Sequence, residues 1–190
     1  MINKLNVGCG KDIRTGKGWV NVDKNKNFDH KNMHNNCFNF DLMDLYKSKK
    51  MPFNNNSFGL VFCSHVLEDF ADIIPLFDEL IRVCSIGGKI VIEVPNETQG
   101  WSNPYHKRAF NINTFVELLN KKNYEKERYC LKIKSLRFVT IKDISSLIRP
   151  LYSVGPLILN CFPRWFVNAT LLKFCFPMVN IRVEYEKVKK

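Results

Sequence analysis

The sequence lacks closely paired cysteines, although seven cysteines occur among its 190 residues. They are odd in number and widely spread, and no Cys-x-x-Cys motif occurs. Disulfide frameworks and zinc ribbons depend on evenly paired or closely spaced cysteines, so the pattern argues against both. We therefore expect a protein of the reducing cytoplasm, with free thiols.

Long apolar runs are also missing. The longest one, residues 150–163, has 14 residues and contains three prolines, whereas a membrane-spanning helix needs about 20 apolar residues. The opening "MINKLNVG" has no basic stretch followed by an apolar core, so no signal peptide is predicted. With 45% hydrophobic and 25% charged residues, the composition predicts one globular domain, 1–190.

Acidic residues are scarce: 18 aspartates and glutamates oppose 29 lysines and arginines, which gives a formal net charge of +11. Such an excess suits nucleic acid or an anionic membrane surface as a partner. It is equally compatible with lysines that are simply solvated in a Lys- and Asn-rich composition. Charge alone leaves these alternatives open.

Apolar segments alternate with helical patterns along the chain. Residues 72–84 place apolar side chains at helical spacing, with Asp72 as the expected N-cap and 86–88 as the stop. Residues 111–124 form a second amphipathic helical pattern. The predicted strands cover 5–7, 18–23, 38–42, 57–64, 89–95, 130–139 and 180–188. The alternation predicts an α/β fold, with a mostly parallel seven-stranded sheet and helices on both faces.

Glycines and polar residues stand where the predicted parallel strands end. Because ligands of such sheets bind outside the carboxyl ends of the strands, these positions predict a binding crevice. The residues concerned are Gly8, Gly10, Asp23, Asp41, Ser64, His65, Pro95 and Asn96.

The predicted crevice lacks the features that bind phosphates. A dinucleotide fingerprint would need a third glycine where Ile13 stands, and no Gly-Lys-Ser/Thr follows the first turn. Asp23, at the end of the second strand, is placed to accept hydrogen bonds from both hydroxyls of a ribose. Asp41 and Leu42 offer an acid and an apolar surface to an adenine ring. We therefore predict a nucleoside ligand without phosphates, which argues against a nucleotide-dependent oxidoreductase.

Five sequence segments occur in a characteristic order: "LNVGCG" at 5–10, "GWVNVD" at 18–23, "MPFNNNSFGLVFCSHVLEDF" at 51–70, "LIRVCSIGGKIVIEVPN" at 80–96 and "NPYHKRAFNINTF" at 103–115. Their order and spacing resemble those of class I S-adenosylmethionine-dependent methyltransferases, in particular the small type 11 methyltransferase domain group. The resemblance covers about residues 3–118, and the last strand returns at 180–188. It implies a Rossmann-like sandwich, S-adenosylmethionine as cofactor and methyl transfer as the activity.

The resemblance also implies which residues bind the cofactor. Those of the first loop would lie along its methionine part, and Asp23 would lie at its ribose. The acid and leucine after the third strand would lie at its adenine, and the residues after the fourth strand at the sulfonium and acceptor. In chain order these residues are Asn6, Gly8, Cys9, Gly10, Asp23, Asp41, Leu42 and Ser64. Only seven residues separate Gly10 from Gly18, too few for a full crossover helix, so the first crossover is expected to be shortened.

Two histidines are candidate general bases for methyl transfer. A base helps when the acceptor is a hydroxyl or a protonated amine. His65 follows the fourth strand, and His106 follows the fifth. Each also has a structural interpretation, His65 as the first residue of a helix capped by Ser64 and His106 as a contact within a lid.

Neither a metal site nor a sequence-specific nucleic-acid partner is predicted. His30, His34 and Cys37 have ligand-like spacing, but they lie in a polar, Asn-rich loop. "NPYH" at 103–106 resembles the Asn/Asp-Pro-Pro-Tyr motif of enzymes that methylate amino groups of nucleic acids. It lacks the second proline, however, and it follows the fifth strand instead of the fourth.

Segment 142–179 is predicted to be an apolar insertion between the last two strands. From 147 to 179 it contains three basic residues, no acidic residue and several prolines. Such a composition suits a peripheral contact with an anionic membrane surface. It also suits a lid that closes over the acceptor pocket and completes the core.

These features together predict an S-adenosylmethionine-dependent methyltransferase that acts on a small-molecule acceptor of lipid-linked or saccharide type. We expect it in the cytoplasm or at the membrane surface. The alternative is a non-catalytic nucleoside-binding or regulatory module on the same fold. The shortened crossover favours that alternative, as does Asp69, which stands where relatives often carry histidine.

Overall fold

The computed structural model describes residues 3–24, 36–119, 130–140, 149–163, 166–167 and 179–189. Seven strands in this part of the chain form one sheet. They are β1 (Lys4–Val7), β2 (Trp19–Asp23), β3 (Cys37–Asn39), β4 (Phe58–Ser64), β5 (Cys84–Pro95), β6 (Leu131–Thr140) and β7 (Val179–Lys187). The α-helices of the same ranges are α1 (Ile74–Val83), α2 (Glu97–Gly100), α3 (Thr114–Glu117) and α4 (Arg149–Cys161).

The strand order is β3-β2-β1-β4-β5-β7-β6. The pairs formed among β1 to β5 are all parallel, whereas β7 is antiparallel to both β5 and β6. The predicted α/β fold with a mostly parallel seven-stranded sheet is therefore confirmed, and β7 is the exception. The alternating apolar and charged residues of β6 and β7 are typical of antiparallel strands with one exposed face.

The third strand is shorter than the sequence predicts. A strand was expected over 38–42, but β3 ends at Asn39. Asp41 accepts a hydrogen bond from Met43 N at 2.9 Å and caps a 3-10 helix, Leu42–Lys47. The prediction is wrong at this end because an aspartate that caps the next turn interrupts an otherwise strand-like pattern.

The predicted helix at 72–84 is α1. The predicted N-cap, Asp72, is wrong by one residue, because the N-cap of α1 is Ile73. Asp72 Oδ1 nevertheless accepts a hydrogen bond from Ile74 N at 2.9 Å. Residues 86–88 do not end this helix, however, because α1 ends at Val83 and β5 already begins at the next residue. The glycines lie instead in the first part of β5, where its register against β4 shifts. Of the predicted helix at 111–124, the described residues contain α3, Thr114–Glu117. Residues 120–124 of the prediction lie outside the described residues.

Aromatic packing joins α1 to the sheet. The ring of Phe77 on α1 meets the ring of Tyr185 on β7 edge to face, with centroids 5.7 Å apart. Tyr185 is fully buried and donates a hydrogen bond from its hydroxyl to Phe115 O at 2.9 Å. Burial of each such side chain contributes roughly 1.5–3 kcal/mol. The central strands supply the other fully buried apolar residues, among them Leu5, Val7, Val61, Ile90 and Ile92.

The connection from β1 to β2, residues 8–18, contains no helix, so the predicted shortened crossover is confirmed. Two buried asparagines hold this loop instead. Asn6 of β1 donates to Asp12 O at 2.7 Å and to Asn21 Oδ1 at 3.0 Å. Asn21 of β2 also accepts from Arg14 N at 2.9 Å and donates to Arg14 O at 3.0 Å. Side-chain amides thus take up the backbone groups that a helix would have paired.

A cation–π contact anchors the same loop from its other side. The Arg14 guanidinium lies 3.6 Å from the centroid of the Phe62 ring and 4.9 Å from that of Trp19. Planar guanidinium groups stack favourably on aromatic faces. Arg14 is therefore held twice, through its backbone by Asn21 and through its guanidinium by the rings of Phe62 and Trp19.

No helix among the described residues is long and apolar enough to cross a membrane. Within the predicted insertion at 142–179, the structure describes 149–163, 166–167 and residue 179, and the rest lies outside the described residues. The assignment of 1–190 to a single domain and the role of the insertion stay predictions.

Replacing Asn21 with alanine should destabilise the fold, because Asn6 Nδ2 and both backbone groups of Arg14 lose a partner at once. Each buried polar group left unpaired costs about 1–3 kcal/mol. We expect a loss of about 2–4 kcal/mol in the free energy of unfolding, measured by urea unfolding followed by circular dichroism. Asn54 is exposed, and Asn54→Ala serves as the control with an unchanged midpoint. Equal losses in the two variants would contradict the role given to Asn21.

Candidate functional site

A crevice of about 240 Å³ opens at the carboxyl ends of the central parallel strands. The residues that line it are Gly8, Gly10, Asp23, Lys24, Asp41, Leu42, Met43, His65, Val66, Asp69 and Phe70. The structure therefore brings together most of the residues that the strand-end pattern singled out. A larger cavity, of about 470 Å³, lies beside the start of α1 and contains none of the predicted site residues.

Two glycines in the left-handed conformation shape the first turn of the crevice. Gly8 has φ +64° and Gly10 has φ +48°, a region that other residues enter only at a cost. The amide of Gly8 also donates to Val22 O at 2.8 Å. A Cβ at Gly8 would lie 2.3 Å from Val66 Cγ2, whereas a Cβ at Gly10 would meet no atom within 4 Å. Gly8 is thus required by close packing as well as by conformation, and Gly10 by conformation alone.

Asp23 joins the end of β2 to this turn. Its Oδ2 atom accepts a hydrogen bond from Gly10 N at 2.7 Å. No other hydrogen bond to this carboxylate is formed within the described residues. Since a carboxylate has about four acceptor positions, Asp23 can hold the turn and still accept a hydroxyl donor from a ligand in the crevice.

Three residues predicted to bind the cofactor do not line the crevice. The amide of Asn6 is used to hold the first loop, as described above. Cys9 is buried, and burial followed by the nearby Asp23 carboxylate raises the pKa of its thiol to about 12, so the thiol stays protonated. Ser64 donates to Glu93 Oε2 at 3.2 Å. The side chains of these three residues are therefore part of the protein interior around the crevice and do not line it.

The structure adds lining residues that the sequence had not singled out, namely Lys24, Met43, Val66, Asp69 and Phe70. Each of them follows a predicted residue closely in sequence. Lys24 follows Asp23, Met43 follows Leu42, and the other three belong to the "HVLEDF" motif. These residues could have been predicted from the turns that follow each strand, because a turn keeps the next residues at the same edge of the sheet.

His65 lies at the crevice with φ +55°, an uncommon conformation for a residue other than glycine. Its Nδ1 is 3.2 Å from Glu68 Oε1, and its Nε2 is 3.0 Å from Asn180 Nδ2. The next helical turn is the 3-10 helix Leu67–Asp69, whose N-cap is Val66. The structural interpretation of His65 as the first residue of a helix is therefore wrong.

His106 does not line the crevice. Its Nδ1 is 2.9 Å from Gly100 O, and its Nε2 is 3.0 Å from Asn103 Nδ2. Burial, followed by the Glu68 carboxylate, raises the pKa of Asp69, and His106 offsets part of this increase. His106 therefore lies close enough to influence the charge of the crevice, although its ring is engaged within its own segment.

Within the described residues, no three or more His, Cys, Asp or Glu side chains lie close enough together to hold a metal ion. His30 and His34 lie outside the described residues. Cys37 lies in β3, where burial raises the pKa of its thiol.

Comparison with protein families gives one match. The sequence model of the family described as "Methyltransferase domain", type 11, matches residues 5–92. This stretch runs from β1 into β5 and includes every residue that lines the crevice. A search of curated proteins finds no match to the sequence.

Solved structures share the fold at low sequence identity. A SAM-dependent methyltransferase from Archaeoglobus fulgidus is 18% identical, with 98% of this chain and 86% of that chain covered and a TM-score of 0.55. An S-adenosylmethionine-dependent methyltransferase from Mesorhizobium loti is 12% identical, with 97% and 90% covered and a TM-score of 0.55. Phosphoethanolamine N-methyltransferase 2 from Haemonchus contortus, in complex with S-adenosyl-L-methionine, is 13% identical, with 100% and 49% covered and a TM-score of 0.54. These likenesses show the fold alone.

Replacing Gly8 with alanine should damage the crevice more than replacing Gly10 with alanine. Both changes force alanine into the left-handed region, at a cost of about 1–2 kcal/mol, but only the Cβ at Gly8 collides with Val66. We expect the Gly8→Ala variant to lose more free energy of unfolding than Gly10→Ala, measured by urea unfolding.

The double variant Gly8→Ala/Val66→Ala isolates the collision. It removes the methyl groups that the new Cβ would meet, so its loss should be smaller than the sum of the two single losses. Strictly additive losses would show that the contact between Gly8 and Val66 does not limit the turn.

Proposed function

We propose that this protein transfers a methyl group from S-adenosylmethionine to a small-molecule acceptor, because residues 5–92 match the sequence model of the methyltransferase domain family and the chain has the fold of S-adenosylmethionine-dependent methyltransferases. The observation that carries the proposal is the position of Asp23. Its carboxylate lines the crevice, holds Gly10 N at 2.7 Å and retains acceptor capacity for the hydroxyls of a ribose.

The residues of the crevice fit this cofactor, which is a nucleoside joined to an amino acid through a sulfonium. Asp23 would hold the ribose hydroxyls. Leu42, Met43 and Phe70 would provide the apolar surface for the adenine ring, and the Asp41 carboxylate would accept a hydrogen bond from its amino group. Bound there, the cofactor would supply an electrophilic methyl group.

The charges of the crevice also favour a ligand without phosphates. Among the described residues, Asp23, Asp41 and Asp69 line it together with one cation, Lys24. Carboxylates attract a sulfonium and repel a pyrophosphate, which would add negative charge at short range. The argument against a nucleotide-dependent oxidoreductase therefore rests on charge as well as on the missing third glycine.

Apolar residues beside the predicted transfer position would exclude water. Val66 and Phe70 line the crevice although they are almost fully buried in the fold. Methyl transfer is an in-line displacement, so alignment of the two reactants and a dry site contribute most of the catalysis that this chain could provide.

We propose a lipid-linked or saccharide-type acceptor, and α4 supports the lipid-linked class. Val154 and Leu157 on α4 are exposed, and so is Phe162 just beyond it. Residues 147–179 contain no acidic residue, and the whole chain carries a net charge of +11. Exposed apolar side chains among cations suit peripheral contact with an anionic membrane surface.

A chain of contacts links α4 to the crevice. Asn160 of α4 accepts from Phe138 N and donates to Phe138 O, both at 2.9 Å. Val139, the next residue of β6, pairs with Asn180 of β7. Asn180 in turn contacts His65. An acceptor held at a membrane by α4 would therefore approach the sheet from the edge where the crevice opens.

Thermal unfolding with S-adenosylmethionine, S-adenosylhomocysteine and NAD tests the cofactor assignment. At about 100 times the dissociation constant, binding stabilises the folded state by about 2.7 kcal/mol, which raises the Tm of a chain of this size by roughly 5–11 °C. We expect this shift with the two sulfur nucleosides and none with NAD. A shift with NAD alone, or with none of the three, would refute the assignment.

The variant Asp23→Asn separates charge from shape, because it keeps an acceptor for Gly10 N. Loss of the charged hydrogen bond should weaken cofactor binding by about 1.5–3 kcal/mol, measured by calorimetry. Asp12→Asn is the matched control, since the Asp12 side chain is 69% exposed in the same loop, and its affinity should equal that of the wild type. Binding without turnover across an acceptor screen would favour the non-catalytic alternative.

Sedimentation with vesicles tests the proposed membrane contact. The protein should sediment with phosphatidylcholine vesicles that contain anionic phosphatidylglycerol and should not sediment with vesicles of phosphatidylcholine alone. Leu157→Glu should weaken that binding, because Leu157 is 68% exposed on α4. Ile86 is 57% exposed in β5, and Ile86→Glu should bind as the wild type does. Equal binding by both variants would remove α4 from the contact.

A further inference from the structure

The imidazole of His65 is held between two buried side chains. Glu68 Oε1 lies 3.2 Å from Nδ1, and Asn180 Nδ2 lies 3.0 Å from Nε2. The Glu68 side chain is only 2% exposed, whereas that of His65 is 47% exposed. The ring is therefore fixed from within the protein while one side of it stays open to solvent and to the crevice.

The two partners select one tautomer of neutral His65. An ionised carboxylate accepts hydrogen bonds but cannot donate them, so Glu68 takes the N–H of Nδ1. Nε2 then carries the lone pair, and it accepts a hydrogen bond from the amide of Asn180. The nitrogen that is free of a proton is thus the one that Asn180 covers.

The same partners also suit the protonated ring. Among the described residues, Glu68 Oε2 and Asn180 Oδ1 are buried oxygen atoms without a hydrogen-bond partner, and buried unpaired acceptors are costly. If the Asn180 amide turns over, its oxygen can accept from an Nε2–H. Imidazolium would then donate to Glu68 on one side and to Asn180 on the other, so both protonation states of His65 have partners.

Two carboxylates of one short turn face this ring. Glu68 is buried and contacts Nδ1, whereas Asp69 is exposed at the crevice, where its charge interacts with His65. Lys24 and His106 act on Asp69 from the other elements around the crevice. Of these groups, Glu68 lies within hydrogen-bond distance of a ring nitrogen, so the response of His65 to proton uptake should depend most on Glu68.

We propose that His65, Glu68 and Asn180 form a proton-accepting unit for methyl transfer, and that the acceptor is therefore a hydroxyl or an ammonium group that must lose a proton. This inference rests on the proposed function. The acceptor displaces the Asn180 amide from Nε2. A hydroxyl acceptor would pass its proton to Nε2 as its oxygen bonds to the methyl carbon. An ammonium acceptor would pass a proton to Nε2 first and then bond to the methyl carbon through the lone pair so released. In both cases the electron pair of the breaking carbon–sulfur bond would stay on sulfur. The imidazolium, stabilised by Glu68, later releases the proton to solvent.

In this unit His65 is the catalytic base, and Glu68 and Asn180 are positioning residues that act through it. Nothing in the local sequence identifies Asn180 as a partner, because it stands 115 residues away from His65. The strained backbone of His65, with φ +55°, is consistent with a ring that is placed for chemistry rather than for packing.

Nitrogen-15 NMR of the histidine side chains tests the unit without any acceptor. The chain has four histidines, and His65→Gln identifies the signals of His65. In the wild type we expect neutral His65 as the Nδ1–H tautomer. In Glu68→Gln the titration midpoint of His65 should fall by about one pH unit or more, the usual effect of removing an adjacent opposite charge. An Nε2–H tautomer in the wild type, or an unchanged midpoint, would overturn the proposal.

A matched control and a second measurement make the outcome specific. Glu79 is also a buried glutamate, but it pairs with Arg82, so Glu79→Gln should lower stability and leave the His65 midpoint in place. The tautomer of the wild type needs no variant, so the test holds even if Glu68→Gln fails to fold. Cofactor binding by the wild type is measured separately. Intact binding with the wrong tautomer would refute the proton-accepting unit and leave the proposed function standing. Lost binding with the expected tautomer would refute the proposed function, and with it the role in methyl transfer, although the arrangement of the three side chains would stand.

Discussion

The crevice depends on two buried asparagine side chains that replace a helix. A parallel crossover normally needs a dozen or more residues, most of them helical, and residues 8–18 provide no helix. Asn6 and Asn21 sit on adjacent strands and bind each other and the backbone of the loop. Without them, Asp12 O and both backbone groups of Arg14 would lose the partners that the two side-chain amides provide, and the loop would keep fewer of its hydrogen bonds.

The charge of the whole chain and the charge of its crevice have opposite signs. The net charge of +11 governs what the outer surface attracts over a Debye length of about 10 Å at 0.1 M salt. Among the described residues of the crevice, Asp23, Asp41 and Asp69 outnumber Lys24, and short-range interactions dominate there. A basic protein can therefore still favour a cationic cofactor in its crevice.

The proposed division of labour follows from the sheet. Residues at the ends of β1 and β2 form the cofactor side of the crevice, while the turn after β4 carries His65 and Glu68. β7 runs antiparallel to β5, so its first residues lie beside the carboxyl ends of β4 and β5. That reversal delivers Asn180 to His65, which a parallel last strand would not do.

The sequence by itself determined the alternation of strands and helices and the strand ends at Gly8, Gly10, Asp23 and His65, because these follow from local patterns of apolar residues and turns. It did not distinguish Asn6, which supports the loop, from residues that line the crevice, since its partner Asn21 is recognised only once the two strands lie side by side. Likewise, the need for glycine at position 8 arises from Val66 on another strand's turn. Tertiary structure decided these roles because each depends on contact between elements that are distant in sequence, and such contacts are set by the order and direction of the strands.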